Sequence, residues 1–156
     1  MMKKKRLEEL RHSRQYGIGR LLLLARRDFV SRLSEKMDLS GHKKLSRSSG
    51  ALLPFIDLEG TRSTVLARRI GISKQAAAKA VKELEEEGLL RRTEDEADGR
   101  AFLVSFTEMG MEYLLQIHNA IIEIEREYEA IIGAAQMKRM RLALSSIVYA
   151  NQDHQI

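Results

Sequence analysis

The 156-residue sequence has no cysteine, no tryptophan, a single proline and only four Phe and four Tyr. The lack of cysteine excludes disulfides, thiol redox sensing and every zinc site built on thiolates. A cytoplasmic address is the simplest one for such a chain. No apolar run approaches the roughly 20 residues that cross a bilayer. The opening "MMKKKRLEEL" is basic, but charges follow at once where a signal peptide needs an apolar core, so secretion is not expected. The four histidines, His12, His42, His118 and His154, fall at no metal-ligand spacing. Phosphate loops, dinucleotide fingerprints and nucleophile elbows are missing too. An enzyme is therefore not expected, nor is any cofactor or metal.

Charge is what the chain does have. Its formal net charge is +5 and its pI about 9.6, which favours a polyanionic partner. The distribution is uneven: residues 1–50 carry 14 Lys/Arg against 5 Asp/Glu, and residues 101–156 carry 4 against 7. Residues 61–100 are nearly balanced, with 9 against 8.

Apolar spacing predicts a mainly α (α+β) fold. Residues 5–37 read as one long helix, with Leu7, Leu10, Ile18, Leu21, Leu22, Ala25, Phe29 and Leu33 on its stripe, although Gly17 and Gly19 weaken its middle. Residues 38–60 read as a Ser/Gly-rich connection and a short apolar helix near Pro54. Thr61 is expected to cap a helix from Arg62 to about Arg69, stopped by Gly71, and Ser73 to cap another running to Glu87. Residues 89–94 and 101–106 look like two strands around the turn "DEADGR". A helix capped by Thr107 runs to about Ile132, Gly133 breaks it, and a last helix covers about 135–150.

Two helices joined through Gly71-Ile72-Ser73 must cross steeply, as in a helix-turn-helix. At about 100° per residue, Ala77, Val81, Leu84 and Gly88 share one face of the second helix. Gln75, Ala78, Lys79 and Lys82 share the opposite one. That outer face suits a DNA major groove. Gln75 can pair with adenine N6 and N7, Lys79 and Lys82 can reach guanine or phosphate, and Ala78 can touch a thymine methyl. Ser73 and the first amides, beside Lys74, form a phosphate site at the helix N-terminus. Arg62 and Ser63 are expected to touch phosphate. Glu85, Glu86 and Glu87 then lie at the end pointing away from DNA, so the helix enters the groove N-terminus first. The hairpin adds Arg100, the one base of an acidic turn, suited to a narrow minor groove, with Asp98 holding its guanidinium.

The text "LARRIGISKQAAAKAVKELEEEGLLRR" followed by "DGRAFLVSFTEMG" resembles the multiple antibiotic resistance regulator (MarR) family. The matching positions are Leu66-Ala67, Gly71-Ile72-Ser73, Leu84-Glu85, Gly88-Leu89, Arg92, Asp98-Gly99-Arg100 and Phe106-Thr107 with Gly110. The chain departs from the family pattern at Phe106, where leucine is usual, and at Gly99, where a second charge is frequent. It also carries small residues at Ala77, Ala78 and Ala80.

The resemblance implies a winged helix-turn-helix at 61–106, an N-terminal dimerisation helix at 1–37 and C-terminal dimerisation helices at 107–156. It further implies a homodimer on a palindromic double-stranded DNA operator, with repression by steric blocking as the default outcome. A small anionic aromatic effector would release the DNA, and Arg14, Arg20 or Arg26 could meet its carboxylate. The rival expectation is a winged-helix protein-assembly module that does not bind DNA.

Overall fold

The computed structural model describes residues 2–39, 45–94 and 102–150. The chain separates into two compact units, residues 41–118 and residues 1–40 with 119–156.

The first unit holds the helix-turn-helix. In order it contains α3 (Arg47–Gly50), a 3-10 turn (Leu53–Phe55), β1 (Thr61–Arg62), α4 (Ser63–Ile70), α5 (Lys74–Glu86), β2 (Leu90–Glu94) and β3 (Phe102–Phe106). It ends with the opening turns of α6 (Glu108–Ile132). The strands form an antiparallel sheet in the order β1-β3-β2. Leu90 faces Phe106 and Thr61 faces Val104 across it. Leu52, Leu66, Leu84, Leu90 and Val104 are fully buried and pack as one core with Ile56, Ala80, Val81, Leu89 and Phe106. Tyr113, Leu114 and Ile117 of α6 close over it, half-buried. The core thus draws on more of the chain than residues 61–106, because α3, the 3-10 turn and α6 supply apolar side chains that the small motif lacks.

Four sequence expectations are corrected. Thr61 does not cap a helix: it is a strand residue, and its hydroxyl accepts from the Asp57 amide at 2.8 Å and donates to Asp57 Oδ2 at 3.1 Å. Arg62 is not the first helical residue but the extended position before α4, paired opposite Leu103. The short apolar helix near Pro54 is only a 3-10 turn, with that proline in its first turn. Residues 5–37 are not one helix. The backbone breaks between α1 (Met2–Tyr16) and α2 (Ile18–Leu39) at Gly17, where a Cβ would stand 2.4 Å from the Ser13 carbonyl oxygen.

The second unit consists of α1, α2, the rest of α6 and α7 (Ala134–Tyr149). Charged groups tie α2 to α6. Arg32 bridges Asp28 and Glu127 at 2.8 Å each, and Lys36 reaches Glu127 at 2.8 Å and Glu123 at 3.0 Å. Tyr128 donates its hydroxyl to Asp28 at 2.8 Å beneath the Arg32 guanidinium. Ile124 is fully buried, yet many apolar side chains of α1, α2 and α7 stay open to solvent.

Two close approaches fix where the strands meet α6. Thr107 donates its hydroxyl to the Gly88 carbonyl and accepts from the Gly110 amide at 3.0 Å, capping α6 as expected. Gly110 lies so near β2 that an added Cβ would sit 2.0 Å from the Leu89 carbonyl oxygen. Backbone cannot yield as a side-chain tip does, so Gly110→Ala is expected to cost about 1–3 kcal/mol. Gly19, with open space around its Cβ position, should accept alanine at no loss. Thermal unfolding of the two variants measures the contrast.

The carboxylates also set a pH dependence. Asp57 is held below its ordinary range first by Arg69, at 2.7 Å, and then by Thr61. Asp28 is lowered first by Arg32 and then by Tyr128, and Glu127 first by Lys36 and then by Arg32. Depressed folded-state values mean stability that is complete above the unfolded carboxylate range, about 4, and lost as pH falls through the lower folded values. The unfolding midpoint should therefore be flat down to about pH 5 and fall steeply below about pH 4. Asp57→Asn should make that acid limb shallower in a pH series of thermal melts.

Candidate nucleic-acid interface

The turn between α4 and α5 follows from three residues. Gly71 takes φ +70°, a left-handed conformation that favours glycine, and its amide reaches Ala67 O at 3.1 Å. The Ile72 amide also returns to Ala67 O, at 3.3 Å. Ser73 then caps α5, its hydroxyl oxygen accepting from the Ala76 amide at 3.1 Å.

The cap leaves the Ser73 hydroxyl proton free to donate, and the Lys74 and Gln75 amides have no partner among the described residues. They stand at the positive end of a 13-residue helix. Such a terminus can hold a phosphate oxygen.

Helix α5 divides as its periodicity predicts. Ala77, Ala80, Val81 and Leu84 are buried, while Lys74, Gln75, Ala78, Lys79 and Lys82 are all exposed. Ala80 was not assigned to the inner face by the sequence. Its small side chain lets the backbone approach the core beside Val81. The outer ridge therefore presents three ammonium groups and one amide around a methyl group.

The other expected contacts are placed less uniformly. Arg62 is exposed beside the start of α4, and Ser63 is half-buried, its hydroxyl accepting from the Phe102 amide at 3.5 Å. Ser63 is thus partly engaged in holding β3. Asp98, Gly99 and Arg100 lie outside the described residues. Arg14, Arg20 and Arg26 are exposed on α1 and α2. Two shallow clefts, of about 190 Å³ and about 160 Å³, are lined by other residues and include none of these three arginines.

Internal partners occupy the acidic end of α5. Glu85 binds Arg92 of β2 at 2.6 Å, and the Arg92 guanidinium lies 5.7 Å from the Phe102 ring centre. Lys82 and Glu86 form an exposed pair at 3.7 Å. Glu83 accepts from Ser46 at 2.9 Å and from Ser49, whose side chain is almost fully buried. Ser49 first, then Ser46, and more weakly the charge of Lys79 hold the Glu83 carboxyl below its ordinary range. Sequence reasoning missed Ser46 and Ser49 because a Ser-rich stretch reads as a connection. The available signal was a serine pair spaced i, i+3, able to turn both hydroxyls to one side. Among the described residues no three His, Asp or Glu converge as metal ligands, and no helix is long and apolar enough to cross a membrane.

A MarR family model matches residues 44–101. The transcriptional regulator AdcR of Streptococcus pneumoniae serotype 2 (strain D39 / NCTC 7466) is 31% identical over 65 residues. That stretch is 42% of this chain and 44% of AdcR, so the likeness spans less than half of either protein. Among solved structures, a MarR-family transcriptional regulator from Rhodococcus sp. RHA1 superposes with a TM-score of 0.71 at 25% identity, covering 86% of this chain and 94% of that one. CouR from Rhodococcus jostii RHA1, bound to p-coumaroyl-CoA, gives 0.67 at 26% identity over 86% and 94%. CouR on a 23-mer DNA duplex gives 0.70 at 19% identity over 87% and 95%, a likeness of fold alone. Residues 44–101 match the sequence model of the MarR family, and most of the chain shares the winged helix-turn-helix fold of MarR-family structures.

Proposed function

We propose that this protein is a transcription regulator that binds double-stranded DNA sequence-specifically as a homodimer. The observation that carries the reading is the outer ridge of α5. Lys74, Gln75, Ala78, Lys79 and Lys82 stand exposed on a helix whose opposite side is locked into the core. Gln75 and Lys79 read base edges, and Ala78 allows close approach. Ser73, Lys74, Lys82, Arg62 and Ser63 contact phosphates and position the helix. Arg100 enters the minor groove, supported by Asp98. CouR, a relative of the same fold, is bound to a 23-mer DNA duplex in its solved structure, which supports this partner.

The apolar surface of the helical unit supports the homodimer. Ile18, Leu23, Ile131 and Ile147 are each about two-thirds exposed in a single chain. Patches of that kind mark interaction sites. A second copy related by a twofold axis sets the two α5 helices about one DNA turn, roughly 34 Å, apart and makes the operator palindromic. Bound over a promoter, the dimer represses by steric exclusion. A small anionic aromatic effector, met by Arg14, Arg20 or Arg26, releases it. CouR, bound to p-coumaroyl-CoA, is a relative that holds an anionic ligand bearing an aromatic group, which supports an effector with those two features.

Selection of duplexes from a random-sequence pool, followed by salt-titrated binding, tests the reading. Wild type should recover a near-palindrome and bind it with steep salt dependence. Gln75→Ala and Lys79→Ala should each relax base preference, and Arg100→Ala should weaken binding to all sequences by about 1–3 kcal/mol. Weak, sequence-independent affinity would leave an assembly module instead. Sedimentation should show a dimer; a monomer at micromolar concentration would remove the twofold operator.

A further inference from the structure

Two Lys–Glu pairs with the same spacing lie on α5 and behave differently. Lys82 and Glu86, four residues apart, form an ion pair at 3.7 Å. Lys79 and Glu83 are also four residues apart and share the same helix, yet among the described residues Lys79 makes no close ion pair, and only its charge, at longer range, acts on Glu83. Glu83 is occupied elsewhere. Its Oε2 accepts from Ser46 Oγ at 2.9 Å and from Ser49 Oγ. Both hydroxyls are held in place: Ser49 is 1% exposed, and Ser46 Oγ accepts from the Ser49 amide at 3.2 Å. Two hydroxyl donors on one carboxylate oxygen outweigh a single solvent-exposed ion pair, which pays side-chain entropy and is screened by salt.

We propose that Ser46 and Ser49 are positioning residues that hold Glu83 away from Lys79, so that Lys79 stays unpaired and available to DNA. This rests on the reading of α5 as the DNA-contacting helix. Without the two hydroxyls, Glu83 swings toward Lys79 and forms the pair that Glu86 already forms with Lys82. A neutralised Lys79 then releases fewer counterions on binding and competes less well for phosphate or guanine. Helix α3 thereby influences DNA affinity without touching DNA.

The test uses the full chain as wild type, S46A/S49A, E83Q and S46A/S49A/E83Q. Binding to the duplex that wild type selects is titrated against salt, and thermal melts confirm folding. S46A/S49A should lose about two- to threefold in affinity per recognition helix, and its salt slope should shrink by up to about one unit. The triple variant should regain both, because glutamine cannot neutralise Lys79. A role in folding alone predicts no such rescue, since the triple variant lacks the same hydrogen bonds, so absence of rescue overturns the proposal.

A DNA-free measurement separates the two ideas. Limited acetylation with an amine-reactive ester, read by mass spectrometry against Lys74, should slow about two- to threefold at Lys79 in S46A/S49A and recover in the triple variant. Unchanged reactivity at Lys79 overturns the sequestration. Failure of wild type to select or bind any duplex overturns the DNA reading, and with it the purpose assigned to the free lysine, whatever the acetylation pattern.

Discussion

The inner face of α5 constrains everything else in the motif. Ala77, Ala80, Val81 and Leu84 must meet a core already filled by Leu52, Leu66, Leu90 and Val104. Side chains this small bring the helix axis close and leave little freedom to roll. A rotation of 100°, the angle between neighbouring residues, would bury a lysine and expose a leucine. Packing therefore fixes which side chains point outward. The presentation of Gln75 and Lys79 is a consequence of hydrophobic burial on the other side, with Gly71 and Ser73 setting the direction in which the helix leaves the turn.

The strands are tied to that helix by contacts of a different kind. Leu89 sends its carbonyl against Gly110 and accepts from the Thr107 amide, so the end of α5, the start of β2 and the start of α6 converge within one turn of chain. Arg92 then joins β2 to the last turn of α5 through Glu85 while stacking on Phe102 of β3. Exposed ion pairs contribute little to global stability, but this one is partly sheltered and links two elements. Its effect is to fix β2 and β3 relative to the last turn of α5.

Legibility in the sequence followed the range of the interactions. The face division of α5, the Ser73 and Thr107 caps, and the strands at 90–94 and 102–106 rest on local spacing and on residues with strong conformational preferences. All of these were readable. The two-residue strand β1 was not, because Thr61 and Arg62 become a strand only by pairing with Leu103 and Val104, some forty residues away. Thr61 carried the chemistry of a cap, but Asp57 claimed its hydroxyl. The break at Gly17 was half visible: two glycines weakened the pattern without saying which would end the helix. Ser46 and Ser49 showed only their i, i+3 spacing, because their partner Glu83 is remote in sequence, as β3 is from β1.

The near-zero charge of residues 61–100 looked unfavourable for a surface that meets a polyanion. The placement of the carboxylates removes the difficulty. Eleven residues of helix separate Gln75 from Glu86, about 16 Å at 1.5 Å per residue, beyond the Debye length of about 10 Å at ordinary ionic strength. Glu85 and Glu86 are moreover paired with Arg92 and Lys82, while Glu83 keeps its charge, hydrogen-bonded to Ser46 and Ser49. The field felt at Gln75 and the first turn of α5 is then mainly that of Lys74 and the positive helix end. Net charge averaged over a motif conceals this separation, which exists only because the carboxylates are gathered and answered at the end of the helix turned away from the ridge.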